Sequence, residues 1–269
     1  MQQRRLPTST ESFVGVMLYN PAGISRQRAT DPDPMHPSVR PSPSRNPPLR
    51  SLSGLLVGGV VATLLLAGFL SLGSEMLEGD TRALDQAVLH AMKDLRGHHP
   101  WLVEVMRDLS GVGSTVVLTL VTVVTVAYLS MFTAMRFAML VAASVISGSL
   151  LMTLLKGLFG RLRPDAAYAD AAVTGLSFPS GHATMSAVVY LTLGALLAST
   201  CTQRGQRGYI VGVAAMMALL VGVSRVALGV HWATDVVAGW AFGSGWALLW
   251  LLLASRLIGP PGGAATSAS

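Results

Sequence analysis

The chain has 269 residues, of which 51% are hydrophobic and only 12% are charged. Soluble domains carry about 25% charged residues, so this composition excludes an ordinary soluble domain and favours a membrane protein. The net charge of +6 gives no reason to expect a nucleic-acid partner, because the basic residues do not cluster on any segment that is predicted to fold.

The first fifty residues are rich in proline, serine and arginine, as in the stretch DPDPMHPSVRPSPSRNPPLR. A segment of this composition cannot bury a hydrophobic core, so residues 1–50 are predicted to form a disordered tail. Residues 259–269 are predicted to form a second disordered tail at the C-terminus. The N-terminal segment lacks the short apolar core and the small-residue cleavage site of a signal peptide.

Six apolar runs follow the N-terminal tail, and a helix of about 20 residues is enough to cross the hydrocarbon layer of a membrane. The runs are Leu52–Leu72, Ser114–Phe132, Phe137–Leu158, Thr184–Cys201, Tyr209–Val223 and Val236–Leu257. The fifth run is short and is expected to continue into the polar stretch that follows it. The sequence therefore predicts an all-α fold, a polytopic membrane helix bundle with six transmembrane helices.

Residues 74–113, between the first two runs, contain an amphipathic pattern in the stretch DTRALDQAVLHAMKDLR. Asp85 and Arg82 lie off the apolar stripe, whose members recur at helical spacing: Leu84, Val88, Ala91, Met92 and Leu95. This pattern predicts an interfacial helical segment. A helix that packs on the bundle and a gate over the substrate are the alternatives.

The basic residues outside the motifs indicate how the bundle is oriented. Both tails and four arginines of the short loops and span ends share one face: Arg136, Arg204, Arg207 and Arg256. Since short loops rich in arginine stay inside the cell, we predict a multi-pass protein of the inner (plasma) membrane with cytoplasmic N- and C-termini. The other face also carries basic residues, which are discounted because they are concentrated in motifs: Lys156, Arg161, Arg163 and Arg225.

Three polar motifs adjoin the apolar runs. KGLFGRLRP (156–164) ends the third run, FPSGH (178–182) precedes the fourth, and SRVALGVHWATD (224–235) separates the fifth from the sixth. Because consecutive spans alternate in direction, all three motifs are expected on the same face of the membrane. Charged residues at such positions are costly and usually mark a functional site.

The motifs supply groups that bind a tetrahedral anion. Lys156, Arg163 and Arg225 are cations, and the arginine fork matches phosphate oxygens. Ser180 and Gly181 precede an apolar helix, so their backbone N–H groups are expected to be unpaired donors at a helix start. The three motifs therefore predict a phosphate pocket.

The histidines indicate chemistry beyond binding. His231 and Asp235 are four residues apart and share a face if the segment is helical. Asp235 could then accept the Nδ1 proton and leave Nε2 free to attack. His182 supplies a second imidazole for general acid catalysis.

The ordered pattern K-x6-RP, PSGH and SR-x5-H-x3-D resembles the signature of the type 2 phosphatidic acid phosphatase superfamily. Every fixed position is present: Lys156, Arg163, Pro164, Pro179, Ser180, Gly181, His182, Ser224, Arg225, His231 and Asp235. The resemblance implies a six-span membrane phosphatase domain over residues 51–258, between the two predicted tails.

The resemblance also implies a role for each matched residue. His231 would be the nucleophile that forms a phosphohistidine, Asp235 its orienting partner, and His182 the acid that protonates the leaving oxygen. The phosphate ligands would be Lys156, Arg163, Ser180, Gly181 and Arg225.

The implied activity is the hydrolysis of a lipid phosphomonoester or diphosphate at the outer membrane face, with undecaprenyl diphosphate as the favoured substrate. Phosphatidic acid, phosphatidylglycerophosphate and lipid A phosphates are alternative substrates, and phosphoryl transfer to another lipid or non-catalytic lipid binding are alternative functions. No cofactor is expected. Catalysis without a metal ion is expected because Asp235 is assigned to His231, and Asp165 and Asp170 have no standard metal-ligand spacing. The expected partners are the lipid phosphate and the membrane, and the oligomeric state is left open.

Overall fold

The computed structural model describes residues 49–133, 135–170 and 174–257, and these ranges contain helices and loops but no strand. The helices are α1 (Leu49–Glu78), α2 (Arg82–His98), α3 (Trp101–Val112), α4 (Thr115–Phe132), α5 (Met135–Phe159), α6 (Gly181–Thr200), α7 (Arg204–Ala227) and α8 (Ala233–Leu257). A short 3₁₀ helix, Ala166–Tyr168, lies between α5 and α6. The predicted tails lie outside the described residues, except that Leu49 and Arg50 begin α1.

Six segments of the described chain are long and apolar enough to cross a membrane, which confirms the predicted all-α membrane bundle. The second of them, Trp101–Phe132, begins well before the predicted start at Ser114, because the amphipathic helix α3 precedes α4. Gly113 interrupts the segment, and the Ser114 hydroxyl caps α4 by accepting a hydrogen bond from the Val117 N–H at 3.3 Å. In the sequence, Gly113 followed by the capping residue Ser114 resembles the start of a span, which accounts for the predicted start at Ser114.

Helix α2 has two different faces. Leu84 and Leu95 of the predicted apolar stripe are 60% and 41% exposed, which suits a helix in contact with the membrane interface. The residues that α2 buries are Asp85, Leu89 and Arg96, and this face packs against α7 and α8. The helix therefore also packs on the bundle, and it does so through a largely polar face.

Helices α6 and α8 approach each other closely, and two glycines make this possible. A Cβ atom added at Gly243 would lie 2.4 Å from the carbonyl oxygen of Thr184, and one at Gly239 would lie 3.0 Å from that of Ser180. Small residues that let backbones meet are a common basis of helix packing in membranes. The contact fixes the start of α6 beside the start of α8.

A cluster of aromatic rings anchors the loop before α6. Phe178 is fully buried, and its ring centroid lies 4.7 Å from that of Phe159 and 5.8 Å from that of Phe69. Phe242 of α8 packs on Phe69 at 5.3 Å. The cluster joins α1, α5 and α8 directly behind the PSGH stretch and so fixes where α6 begins.

Candidate active site

The turn between α7 and α8 carries His231, and a glycine shapes it. Gly229 has a φ of +70°, which an L side chain rarely adopts. A Cβ at this position would also lie 2.0 Å from the carbonyl oxygen of Tyr168. The turn places His231, only 1% exposed, just before the first residue of α8.

His231 is held at both ring nitrogens. Its Nδ1 lies 3.3 Å from Asp235 Oδ2, and its Nε2 lies 2.9 Å from Arg163 Nη1. Arginine has only donors, so Nε2 must be the acceptor in this contact and Nδ1 carries the proton. The lone pair of Nε2 therefore points towards Arg163, while Asp235 holds the protonated Nδ1. This is the arrangement expected for a nucleophile oriented by a carboxylate.

Burial is the main reason why the pKa of His231 falls from 6.5 to about 4. The hydrogen bond and charge of Asp235 act in the opposite direction, while the cations Arg163 and Arg225 lower the pKa further. The imidazole is therefore neutral at physiological pH, which is the form in which Nε2 can attack.

The end of α5 and the loop after it supply cations. Arg163 donates through Nη1 to the carbonyl oxygen of Val230 at 2.8 Å, beside its contact with His231. Lys156 donates through Nζ to the carbonyl oxygens of Leu176 and Ser177 at 2.9 and 3.4 Å. An ammonium group has three donors, so one remains for a ligand.

The start of α6 differs in one respect from the expectation. The Ser180 N–H is not an unpaired donor, because it donates to the carbonyl oxygen of Asp235 at 2.9 Å. The first hydrogen bond of α6 runs from the Thr184 N–H to the Ser180 carbonyl, so the N–H groups of Gly181, His182 and Ala183 precede it. Gly181 keeps its predicted place at a helix start, and His182 lies within electrostatic range of His231.

Arg225 and two other predicted ligands leave polar atoms for an anion. Arg225 Nη1 donates to the Ser110 hydroxyl at 2.5 Å, but the Nε atom of Arg225 is buried and makes no hydrogen bond. The same is true of Arg163 Nε and Ser180 Oγ. Buried polar atoms without a partner are costly, so these three atoms indicate a site for a ligand rich in acceptor oxygens.

Sequence reasoning missed three residues of the site. Arg161 donates to Asp235 Oδ1 at 2.7 Å and to Asp85 Oδ2 at 2.5 Å, and the Thr234 hydroxyl donates to Asp85 Oδ2 at 2.7 Å. Arg161 was recognised only as one of the motif charges. Asp85 lies off the apolar stripe, and α2 carries a second carboxylate, Asp94, so the sequence alone does not single out Asp85.

The two loop aspartates have local roles. Asp165 accepts a hydrogen bond from the Ala167 N–H at 2.9 Å at the start of the short 3₁₀ helix. Asp170 forms an ion pair with Arg96 at 2.5 Å. Within residues 49–133, 135–170 and 174–257, no three histidine, cysteine or acidic side chains are grouped to hold a metal ion.

Two cavities that share part of their lining lie next to His182 and between α4 and α5. The first has a volume of about 170 Å³ and is lined by residues that include Gly181, His182 and Met152. The second, of about 550 Å³ between α4 and α5, shares Thr119, Val145 and Ser149 with the first and is mostly apolar. We call the two together the α4–α5 groove.

Residues 137–258 match the sequence profile of the PAP2 superfamily. The chain is 32% identical over 178 residues to phosphatidylglycerophosphatase B of Bacillus subtilis, an alignment that covers 65% of this chain and 85% of the relative. It is 44% identical to an undecaprenyl-diphosphatase of Sulfolobus acidocaldarius over 71 residues, 26% of this chain and 30% of the relative. The crystal structure of a transmembrane PAP2 type phosphatidylglycerolphosphate phosphatase from Bacillus subtilis superposes with a TM-score of 0.67 at 28% identity, covering 73% of this chain and 96% of that one.

Proposed function

Because this chain belongs to the PAP2 superfamily and is a membrane lipid phosphatase, we propose that it removes a phosphate from a lipid at the outer membrane face. Undecaprenyl diphosphate is the favoured substrate. One observation carries the proposal: the buried His231–Asp235 pair contacts Arg163, the Nε atoms of Arg163 and Arg225 are buried without a partner, and His182 lines the cavity at the start of α6.

The first chemical step on this proposal is phosphoryl transfer to the enzyme. Nε2 of His231 attacks the terminal phosphorus, the N–P bond forms, and the bond from phosphorus to the lipid oxygen breaks. His182 gives its proton to that oxygen, which leaves as the lipid alcohol or, from a diphosphate, as the lipid monophosphate. Arg163 and Arg225 offset the charge on the transferring oxygens, which is the main requirement of phosphoryl transfer.

The second step releases inorganic phosphate. His182, now neutral, accepts a proton from a water molecule, whose oxygen attacks phosphorus as the N–P bond breaks. His231 regains its neutral form with Asp235 still on Nδ1. The same two histidines therefore serve both steps and are restored, and one water molecule is consumed for each phosphate released.

The α4–α5 groove supports a lipid as the substrate. Its lining between α4 and α5 is mostly apolar, whereas its end at Gly181 and His182 lies beside Lys156, whose Cε would be 3.8 Å from a Cβ at Gly181. A lipid phosphate has the same polarity along its length, with an apolar tail and a charged head. A free phosphate ester with no tail would leave the groove unused.

Phosphatidylglycerophosphate is the second candidate substrate, and the extent of the similarity favours it. The relative of that name aligns over 85% of its length, whereas the undecaprenyl-diphosphatase aligns over 30%. A panel of undecaprenyl diphosphate, phosphatidylglycerophosphate and phosphatidic acid, each with purified protein in detergent, tests the assignment by the release of inorganic phosphate. A phosphorylated acceptor lipid without free phosphate would instead indicate a lipid phosphotransferase.

The pH dependence of the reaction is expected to reflect the low pKa of His231. The neutral imidazole attacks, so kcat/KM should fall as the pH decreases through the pKa of His231, near 4, rather than near the ordinary 6.5. Two substrates whose phosphates differ in their second pKa separate the ionisation of the substrate from that of the enzyme. An acid limb at pH 6.5 or above, the same for both substrates, would contradict this assignment.

The candidate site is expected to face the outside of the cell. Arg136, Arg204, Arg207 and Arg256 lie at the ends of the spans remote from the site, and such residues stay cytoplasmic. Single cysteines at Ala166, near the site, and at Gln203, at the far end, test this after Cys201 is replaced; both positions are exposed. An impermeant thiol reagent on whole cells should label Ala166→Cys and spare Gln203→Cys. The reverse pattern would refute the orientation.

Catalysis is expected to continue without a metal ion and to be inhibited by vanadate. The cations Lys156, Arg163 and Arg225 take the place that a divalent ion has in metal-dependent phosphatases. Vanadate adopts the five-coordinate geometry of the transferring phosphorus and should bind in its place. Phosphate release is measured with excess chelator and then with orthovanadate. If activity were lost in chelator and restored by added Mg²⁺, the metal-free mechanism would be wrong. Insensitivity to vanadate would contradict the assignment of a histidine nucleophile.

A further inference from the structure

Arg161 joins two buried carboxylates at the candidate site. Its Nη1 lies 2.7 Å from Asp235 Oδ1 and its Nη2 lies 2.5 Å from Asp85 Oδ2. The carboxylates are 0% and 1% exposed, and the Arg161 side chain is 14% exposed. Charges this deeply buried are stable only when they are paired, so Arg161 and Asp85 need each other.

Asp85 holds the same region through the backbone as well. Its Oδ1 accepts a hydrogen bond from the Thr234 N–H at 3.0 Å, in the first turn of α8. The N–H groups of a first helical turn have no partner within the helix, and a carboxylate is favoured there. Asp85 therefore caps α8 from α2, directly beside Asp235.

The Thr234 hydroxyl completes the connection. It accepts a hydrogen bond from Arg161 Nη1 at 2.8 Å and donates one to Asp85 Oδ2 at 2.7 Å. Asp85 is thus linked to the residue before Asp235 by two hydrogen bonds and to Asp235 itself through Arg161. We refer to Asp85, Arg161 and Thr234 as the Asp85 network.

The Asp85 network determines which way the Asp235 carboxylate faces. Arg161 occupies Oδ1, and this leaves Oδ2 for the Trp232 N–H at 3.0 Å and for His231 Nδ1 at 3.3 Å. If Asp85 were neutral, Asp235 would be the only carboxylate left to balance Arg161 and would be drawn away from the imidazole. His231 would then lose the contact that fixes its tautomer.

We propose that Asp85 is a positioning residue for the hydrolysis: through Arg161 and Thr234 it holds Asp235 in the orientation that keeps His231 ready to attack. The proposal rests on the function proposed above. It gives α2, a helix outside the six spans, a part in the reaction, although Asp85 touches neither the imidazole nor the expected position of the phosphate.

The test compares Asp85→Asn and Asp85→Glu with the unchanged protein, using dioctanoyl phosphatidic acid in detergent. We expect Asp85→Asn to lower kcat by about 10- to 100-fold, as is usual for residues that orient a catalytic ligand. KM should stay nearly unchanged, because the groups that bind phosphate are untouched, and Asp85→Glu should recover much of kcat. The matched control is Asp94→Asn, the same change at an exposed position of α2, which should leave kcat as it was.

Two outcomes would overturn the proposal. One is an Asp85→Asn protein with a lower melting temperature but an unchanged kcat, and the other is a rise in KM with no change in kcat. Where Asp85→Asn does not fold, Thr234→Val and Thr234→Ser replace it, since only serine keeps the hydroxyl. Valine should lower kcat and serine should not, and equal values of kcat would overturn the proposal.

His231→Ala, assayed in parallel, separates this proposal from the proposed function. If His231→Ala retained activity, the phosphohistidine mechanism itself would fail. If His231→Ala were inactive while Asp85→Asn and Thr234→Val matched the unchanged protein, only the positioning role of Asp85 would fail.

Discussion

Replacing His231 by alanine is expected to lower phosphate release by about 10⁴-fold or more, because removing a nucleophile from a catalytic unit removes almost all of what the unit contributes. Among the residues that the structure describes, no other group in the site combines an unprotonated nitrogen with an orienting carboxylate: Nε2 of His231 faces Arg163 while Asp235 holds Nδ1. The measurement is kcat on the best substrate of the panel. The variant should still insert and elute as the folded protein, since the backbone of the turn is set by Gly229 rather than by the imidazole.

His98→Ala is the control for this experiment. His98 is an exposed histidine at the end of α2, and its Nδ1 lies 2.8 Å from the carbonyl oxygen of Asp94. Its removal should leave kcat unchanged. If His231→Ala released phosphate nearly as fast as His98→Ala, the nucleophile would have to be sought elsewhere or replaced by a directly activated water molecule.

Replacing Asp235 by asparagine is expected to lower kcat by about 10³- to 10⁴-fold, the loss seen when an orienting aspartate of a catalytic triad becomes an amide. Both carboxylate oxygens of Asp235 are acceptors, Oδ1 for Arg161 and Oδ2 for His231 and the Trp232 N–H. Asparagine has one acceptor oxygen, so its NH₂ group must face either the guanidinium or the imidazole. If it faces the imidazole, Nδ1 becomes the acceptor and Nε2 carries the proton and cannot attack.

The measurement for Asp235→Asn is kcat together with the inhibition constant for vanadate. His231 and the cations that are expected to hold vanadate are all retained in this variant, so its affinity for vanadate should fall much less than kcat does. Asp80→Asn, at an exposed position beyond α1, is the control for the loss of one carboxylate. A kcat within experimental error of the unchanged protein would show that Asp235 does not orient the nucleophile.

Much of the fold could be predicted because membrane spans depend on composition alone. Apolar runs of sufficient length are local in sequence, and all six were located. The start of the second span was misplaced because Gly113 and Ser114 form a break and a cap within it, and these residues are typical of a helix beginning. The pattern identified a helix start correctly but could not show that the amphipathic helix α3 precedes it within the same span.

The candidate site could be predicted only as far as its motifs extend. His231 and Asp235 are four residues apart, so helical spacing alone suggested their contact. The contact between Asp85 and Arg161 joins residues 76 positions apart and follows from no periodicity. The sequence places Asp85 off the apolar stripe of α2, and in a soluble protein such a position would face water. In a membrane protein the stripe can face lipid, and the polar face can then be the one that is buried.

The close contact of α6 and α8 at Gly239 and Gly243 has a consequence for the membranes in which this protein can work. Each helix carries part of the candidate chemistry at its start, His182 on α6 and Asp235 on α8. The distance between α6 and α8 is set where their backbone atoms touch, and no lipid can enter that contact. In a thinner or thicker bilayer the helices should tilt together as one unit. The spacing of the reacting groups is thus independent of bilayer thickness, although the depth of the site below the head groups is not.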